Sequence, residues 1–195
     1  ADANAKKKQG AGDQGIMVGY AVNGNPNAMP ETWILARALC ERMRKCRKDD
    51  LSYLRPDGKS QGTMRNGKGV QVTLAAHHSD KVSLHDLRQG LLKHVVRNVL
   101  PDFHAILGKN TVINGTGRFV QGGFDADAGT TGRKLMVDNY GPNVEIGGGC
   151  YSGKDPSKVD RSAAYFFRMV AKSIVIGGHE NEAIVKVSYA IGVAH

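Results

Sequence analysis

The stretch GGGCYSGKDPSKVDRSAAY, residues 147–165, decides how the rest of the chain is read. Three glycines and Cys150 lead into a Gly153-Lys154-Asp155 turn, and the charged run after it opens a helix. Residues 148–154 fit GxxxxGK, the outline of a phosphate-binding P-loop. That loop needs Ser or Thr next, to hold Mg2+, and a hydrophobic strand before it. Asp155 stands at the first position and Asn143-Val144-Glu145-Ile146 makes a poor strand, so a standard P-loop is rejected. The physics outlives the motif: successive backbone N–H groups in glycine-rich loops form anion-binding nests on any fold.

Downstream, Ala163, Phe167, Val170 and Ile174 predict a helix over 160–176, with Gly177-Gly178 as its stop. Val185, Val187, Tyr189 and Ile191 then alternate as a strand does. Upstream, Leu35, Leu39, Met43 and Cys46 form one apolar stripe of a helix over 30–48, opened by Pro30. Arg42, Arg44, Lys45, Arg47 and Lys48 crowd its last turns, where cations favour the helix dipole. That basic run can meet an anion or form a solvated face. A further helix is expected over 83–100, opened by a Ser83/Asp86 capping pair and stopped by Pro101. Leu84, Leu87, Leu91, Val95 and Val99 are its core face. Val70, Val72 and Leu74 alternate in a strand, and short apolar runs at 111–114, 119–121 and 135–137 are expected strands between glycine loops. The pattern is α/β (α+β), with sheets covered on one side by helices.

Other chemistries find no footing. Residues 10–15, GAGDQG, fit GxGxxG, but a dinucleotide site needs a hydrophobic strand just before it, and ADANAKKKQ is none. There is no HExxH and no GxSxG. His77 and His78, adjacent on a strand, point to opposite faces. Cys40, Cys46 and Cys150 form no CxxC pair and no even disulfide framework, so reduced thiols in a cytoplasmic protein are expected. No apolar run reaches the ~18 residues of a membrane span.

The 27 Lys and Arg against 18 Asp and Glu leave a charge of +9, which suits nucleic acid or a small polyanion. Aromatic residues are only 6% and do not interleave with the cations, so no surface for base stacking is evident and no nucleic-acid partner is expected. Lys59, Arg118, Arg133, Lys134, Lys154 and Lys158 stand around the glycine-containing segments, beside Asp57, Asp127, Asp155 and Asp160. Any one of them can be a surface salt bridge capping a turn. As a set they suit a metal-bound polyphosphate, with cations for the phosphate oxygens and carboxylates for Mg2+, often through waters.

Taken in order, these blocks resemble the methionine adenosyltransferase, or S-adenosylmethionine synthetase, family. The matching stretches are GAGDQGIMVGYA (10–21), LRPDGKSQ (54–61), TGRFVQGG (116–123), DAGTTGRKLMVDNYG (127–141), the 147–165 stretch and VSYAIGVA (187–194). The resemblance implies repeated β-α-β lobes, with a central domain at 10–121 and a truncated C-terminal domain at 122–195. It also implies a reaction with Mg2+ and K+ as cofactors. Methionine sulfur attacks C5′ of ATP and expels the triphosphate, which is then hydrolysed to pyrophosphate and phosphate. A sulfur lone pair needs no deprotonation, so the first step rests on alignment and on stabilising charge on the leaving chain.

By the same resemblance, Lys59, Arg133, Lys134, Lys154 and Lys158 are the catalytic cations, contacting the phosphates or bridging to the sulfur-bearing substrate. Asp13, Asp57 and Gly58 lie at the nucleotide, and Arg118 and Phe119 border the adenosine, with Phe119 stacked on adenine. Asp127 is the methionine-amino and nucleotide contact, Asp160 the Mg2+ ligand, and Cys150 the point where the backbone approaches ATP. The family's His-Pro-Asp-Lys block has no counterpart in these residues. The expectation is an enzyme for ATP and L-methionine, working as a dimer-based homo-oligomer or with a complementing subunit. A non-catalytic ATP- or triphosphate-binding subunit is the alternative. Gly62, Gly115 and Gln121 depart from the family pattern and are expected to loosen strands beside the site.

Overall fold

A computed structural model describes residues 10–193. The chain forms two compact units, one of Glu31–Gly129 and one of the two ends, up to Pro30 and from Thr130 onward.

In the unit Glu31–Gly129, α1 (Glu31–Cys46) buries the predicted stripe of Leu35, Leu39, Met43 and Cys46. It covers one face of an antiparallel hairpin, β2 (Leu54–Arg65) and β3 (Lys68–His78), in which Lys59 pairs with Ala75 and Arg65 with Lys68. The connecting Asn66-Gly67 turn has φ of 51° and 71°, the left-handed pair that a two-residue hairpin requires. β4 (Thr111–Ile113) adds to β3 in parallel. Just beyond it, the buried Asn114 side chain brackets Ala76, accepting its N–H at 2.7 Å and donating to its carbonyl at 3.0 Å.

α2 (Leu84–Leu91) runs on through a π turn (Leu92–Val96) and a last helical turn (Arg97–Val99). The expected cap is present: Ser83 Oγ accepts the Asp86 N–H at 3.0 Å and donates to its carboxylate at 2.7 Å. Leu87, Leu91, Val95 and Val96 of this helix join Leu39, Val72 and Leu74 in one apolar core.

Two short strands expected here and in the other unit do not form. Residues 119–121 make no ladder because the Phe119 N–H bonds to the His78 ring, at 3.1 Å, rather than to a backbone carbonyl. Residues 135–137 belong to a single helical turn, α3 (Leu135–Asp138); Met136 and Val137 are exposed, so no buried sheet face selects an extended backbone there. β2 also runs through Gly62, opposite Val72, and its register shifts just beyond, between Thr63 and Met64. The missing side chain leaves the space that Leu35 occupies, so this glycine seats α1 on the strand.

The unit of the two ends repeats the plan more sparingly. β1 (Gly15–Val22) pairs antiparallel with β5 (Glu182–Tyr189), from Gly15 opposite Tyr189 to Val22 opposite Glu182. α4 (Val159–Ile176) covers the pair. A Cβ at Gly19 would strike the Phe167 backbone, so helix and strand meet at closest approach there. The inward face of α4 is accordingly small: Ala163, Ala164, Ala171 and Val175 are buried, whereas Phe167, Val170 and Ile174 of the predicted stripe are half-buried. Arg168 is a structural bolt, donating to the carbonyls of Tyr20, Ala28 (3.0 Å) and Asn27 (2.5 Å) with its charge over the Tyr140 ring. The architecture is mixed α+β. Among the described residues no helix is long and apolar enough to cross a membrane.

Candidate functional site

The glycine–lysine loop lies in the unit of the two ends and runs into the N-terminus of α4. Lys158 is the helix N-cap residue and Asp160 sits in the first turn. No strand runs directly into this loop, so the P-loop likeness fails on topology as well as on sequence.

Lys154 and Asp160 form a close ion pair, with side chains 26% and 13% exposed. The bond to Asp160 raises the Lys154 pKa against a smaller desolvation effect, with a minor contribution from the Asp13 charge. Asp13 therefore lies within electrostatic reach of Lys154. Arg161, also in the first turn of α4, donates to the Lys154 carbonyl and fastens the loop to the helix. A Cβ at Gly149 would land on the Asp160 carboxylate, so only a glycine lets that side chain pack against the loop backbone here.

The next turn is built on Asp155. Its carboxylate accepts the Ser157 N–H at 2.8 Å as well as the Ser157 hydroxyl, and Lys158 Nζ stands 3.4 Å away. Those bonds, the Ser157 hydroxyl first, hold Asp155 down at a pKa of about 2. Lys158, Asp13 and the end of β5 line a cavity of about 770 Å3.

The other residues predicted for this unit are close in sequence but less engaged. Cys150 packs its Cβ 3.0 Å from where a side chain at Gly132 would begin, a close approach of two turns. Arg133 and Lys134 are exposed; Lys134 Nζ meets only the Arg133 carbonyl at 3.2 Å, and neither makes an ion pair among the described residues.

The remaining predicted residues lie in the unit Glu31–Gly129. Asp57 accepts the Gly123 N–H at 2.6 Å, and Gly58 faces Met43 of α1. Lys59 is exposed on β2. Arg118 donates to the Asp80 carbonyl at 2.5 Å, and Asp127 accepts the Gly129 N–H at 2.9 Å. Phe119 stacks on His77, with ring centroids 5.1 Å apart.

The two adjacent histidines hold this segment in opposite tautomers. His77 Nε2 donates to the Val120 carbonyl at 2.9 Å. His78 Nε2 accepts from the Phe119 N–H, which leaves Nδ1 to donate to the Ser79 carbonyl at 2.8 Å. Sequence reading foresaw their opposite faces but not that both position Phe119. It missed Arg161 and Arg168 altogether; only their places, next to Asp160 and in mid-helix, could have drawn attention.

With the geometry in view, the chain matches two family models. That for the S-adenosylmethionine synthetase central domain covers residues 8–119, and that for the C-terminal domain covers 121–195. Among curated relatives, S-adenosylmethionine synthase of Deinococcus radiodurans is 48% identical over 204 residues, covering 98% of this chain and 50% of its own length. The synthase of Petrotoga mobilis is 47% identical over 96% of this chain and 49% of its own length. That of Pseudothermotoga lettingae is 44% identical over 99% and 50%. This chain thus spans about half the length of the relatives it matches. On these matches, the chain belongs to the S-adenosylmethionine synthetase family.

Proposed function

We propose that the chain forms part of a methionine adenosyltransferase, transferring the adenosyl group of ATP to the sulfur of L-methionine. The observation that carries the reading is the Lys154–Asp160 pair, held by Arg161 beside the Asp13–Lys158 cavity. This is a preorganised set of charges with no general base, as suits attack by a sulfur lone pair. The S–C5′ bond forms as the C5′–O bond breaks, and the triphosphate leaves with its charge met by cations.

In this reading Lys154, Lys158, Arg133 and Lys134 hold phosphate oxygens, and Asp13 lies at the nucleotide. In the unit Glu31–Gly129, Lys59 is a phosphate contact, Asp57, Gly58 and Arg118 border the nucleotide, Phe119 stacks on adenine and Asp127 meets the methionine amino group. The backbone at Cys150 approaches ATP.

Asp160 fits Mg2+. Magnesium is commonly held by one or two carboxylates together with substrate phosphates, and Asp160 is a carboxylate of this kind, set beside the Lys154 ammonium at the glycine–lysine loop. Among the described residues no group of three His, Cys, Asp or Glu forms a cation cage, so the remaining ligands would be phosphates and water. The ion would neutralise the leaving chain. K+ is the second cofactor in this reading, and no step is drawn through it. The working assembly is a homo-oligomer or a pairing with a complementing subunit, in the cytoplasm.

The test is S-adenosylmethionine formation from ATP, methionine, Mg2+ and K+ by the chain, alone and with any polypeptide that co-purifies with it. Product that disappears in Lys154→Ala is the expected result. ATP binding without product under every condition would sink the catalytic reading in favour of a binding subunit.

A further inference from the structure

The basic run of α1 has no place in the proposed reaction. In the unit Glu31–Gly129 it borders a groove of about 510 Å3 between α1 and the start of β2. Arg37, Arg44, Arg47 and Arg55 line it, against the carboxylates of Glu41 and Asp57, a net of +2. Both carboxylates are already engaged. Glu41 accepts two bonds from Arg44, at 2.6 and 2.9 Å, and Asp57 accepts the Gly123 N–H. Among the described residues, Arg37, Arg47 and Arg55 make no ion pair. A helix and a strand thus present three unpaired guanidinium forks to one concavity, with Arg44 beside them on Glu41, and uncompensated forks at this density select phosphate.

We propose that this groove binds a short oligophosphate chain. No aromatic ring lines it, so a nucleobase has nothing to stack on. Its two carboxylates repel a long polyanion that must run past both, whereas a short one meets the arginines alone. Asp57 and Gly58 belong to this lining and also to the proposed nucleotide site, so the arginines of α1 and Arg55 are what distinguish the groove from that site.

Trp33 is the only tryptophan in the chain, and the Arg37 guanidinium lies over its ring at 5.4 Å. An anion that draws Arg37 away changes the indole emission, which makes Trp33 a reporter for this groove. Titration with inorganic tripolyphosphate is expected to give a saturable change that chloride at equal ionic strength does not reproduce. Replacing Lys154 and Lys158 together by alanine should leave that change intact, because neither lines the groove. The double variant Arg44→Ala/Arg47→Ala should raise the midpoint about tenfold or more, since bonds to a charged group are lost. Both positions are on α1, where alanine favours the helix.

The variant Arg47→Lys, which keeps the charge and loses the fork, should bind less tightly than the parent and more tightly than the double variant. No saturable change, an unmoved midpoint in the arginine variants, or a signal that vanishes with Lys154 and Lys158 overturns the proposal. ATP and free tripolyphosphate should bind alike, since only the phosphate chain is read. A tenfold preference for ATP, or tighter binding of a DNA duplex than of tripolyphosphate, also overturns the assignment.

Discussion

The two units use one plan, an antiparallel strand pair roofed by an amphipathic helix, and hold it together by different means. In Glu31–Gly129 the roof is bound by large apolar side chains: Leu39, Leu74, Leu87 and Leu91 are fully buried. In the unit of the two ends one cluster beneath α4 is Ala21, Ala28, Ala171 and Val175, and Met17, Val18, Tyr20 and Tyr140 are buried as well, none of them fully. Glycine contact and polar bolts make up the difference there, with Gly19 against the α4 backbone and Arg168 fixed to three carbonyls. Apolar burial scales with area and tolerates small shifts, whereas close backbone contact and directed hydrogen bonds tolerate none. The unit that carries the glycine–lysine loop is therefore the more exacting one.

Four experiments would break or sharpen that contrast. Leu87→Ala should cost the most, about 3 to 5 kcal/mol, as for other buried leucines truncated in a tight core. Urea unfolding followed by Trp33 emission reads it directly, since both residues share a unit. Gly19→Ala adds one methyl group against helix backbone and should cost about 3 kcal/mol. Amide exchange across 159–176 should speed up while the Trp33 transition stays put; a parallel shift would show a single cooperative unit and break the comparison.

Asn114→Ala strands both polar groups of Ala76 in the core and should lower stability by about 2 kcal/mol in the urea transition. The smallest effect is expected in alkali. Burial, the largest cause, pushes Tyr151 up to about 12 from 10.0, and it raises Tyr20 and Tyr140 in the same unit too. A folded pKa above the unfolded one means that this stabilisation is complete below pH 10 and lost as pH rises through about 12. Circular dichroism between those limits should show the two-ended unit loosening, and less so in Tyr151→Phe.

The helices were legible because each signal is local and redundant. The Leu35–Cys46 stripe, the Ser83 cap and the Gly177-Gly178 stop all appear where expected. β2 was not, since Pro56, Gly58 and Gly62 break its period of two and most of its residues are exposed. The Asn66-Gly67 pair was the overlooked clue to the hairpin. β1 was hidden by the GxGxxG likeness just before it. The inward face of α4 was misplaced because helical periodicity ranks Phe and Ile above Ala, whereas Gly19 admits only small residues. Of the candidate site, residue types and order were readable; the Lys154–Asp160 pairing and the histidine tautomers were not.

The amino-acid order by itself determined where helices begin and end and which loops carry charge, because caps, periods and glycines act over a few residues. Only the tertiary structure decided which cations are paired and which stand open, as with Lys154 on Asp160 against Arg47 and Arg55 in their groove. Electrostatic pairing depends on distances between side chains that chain neighbours do not fix, and those distances exist only once the sheets and helices have packed.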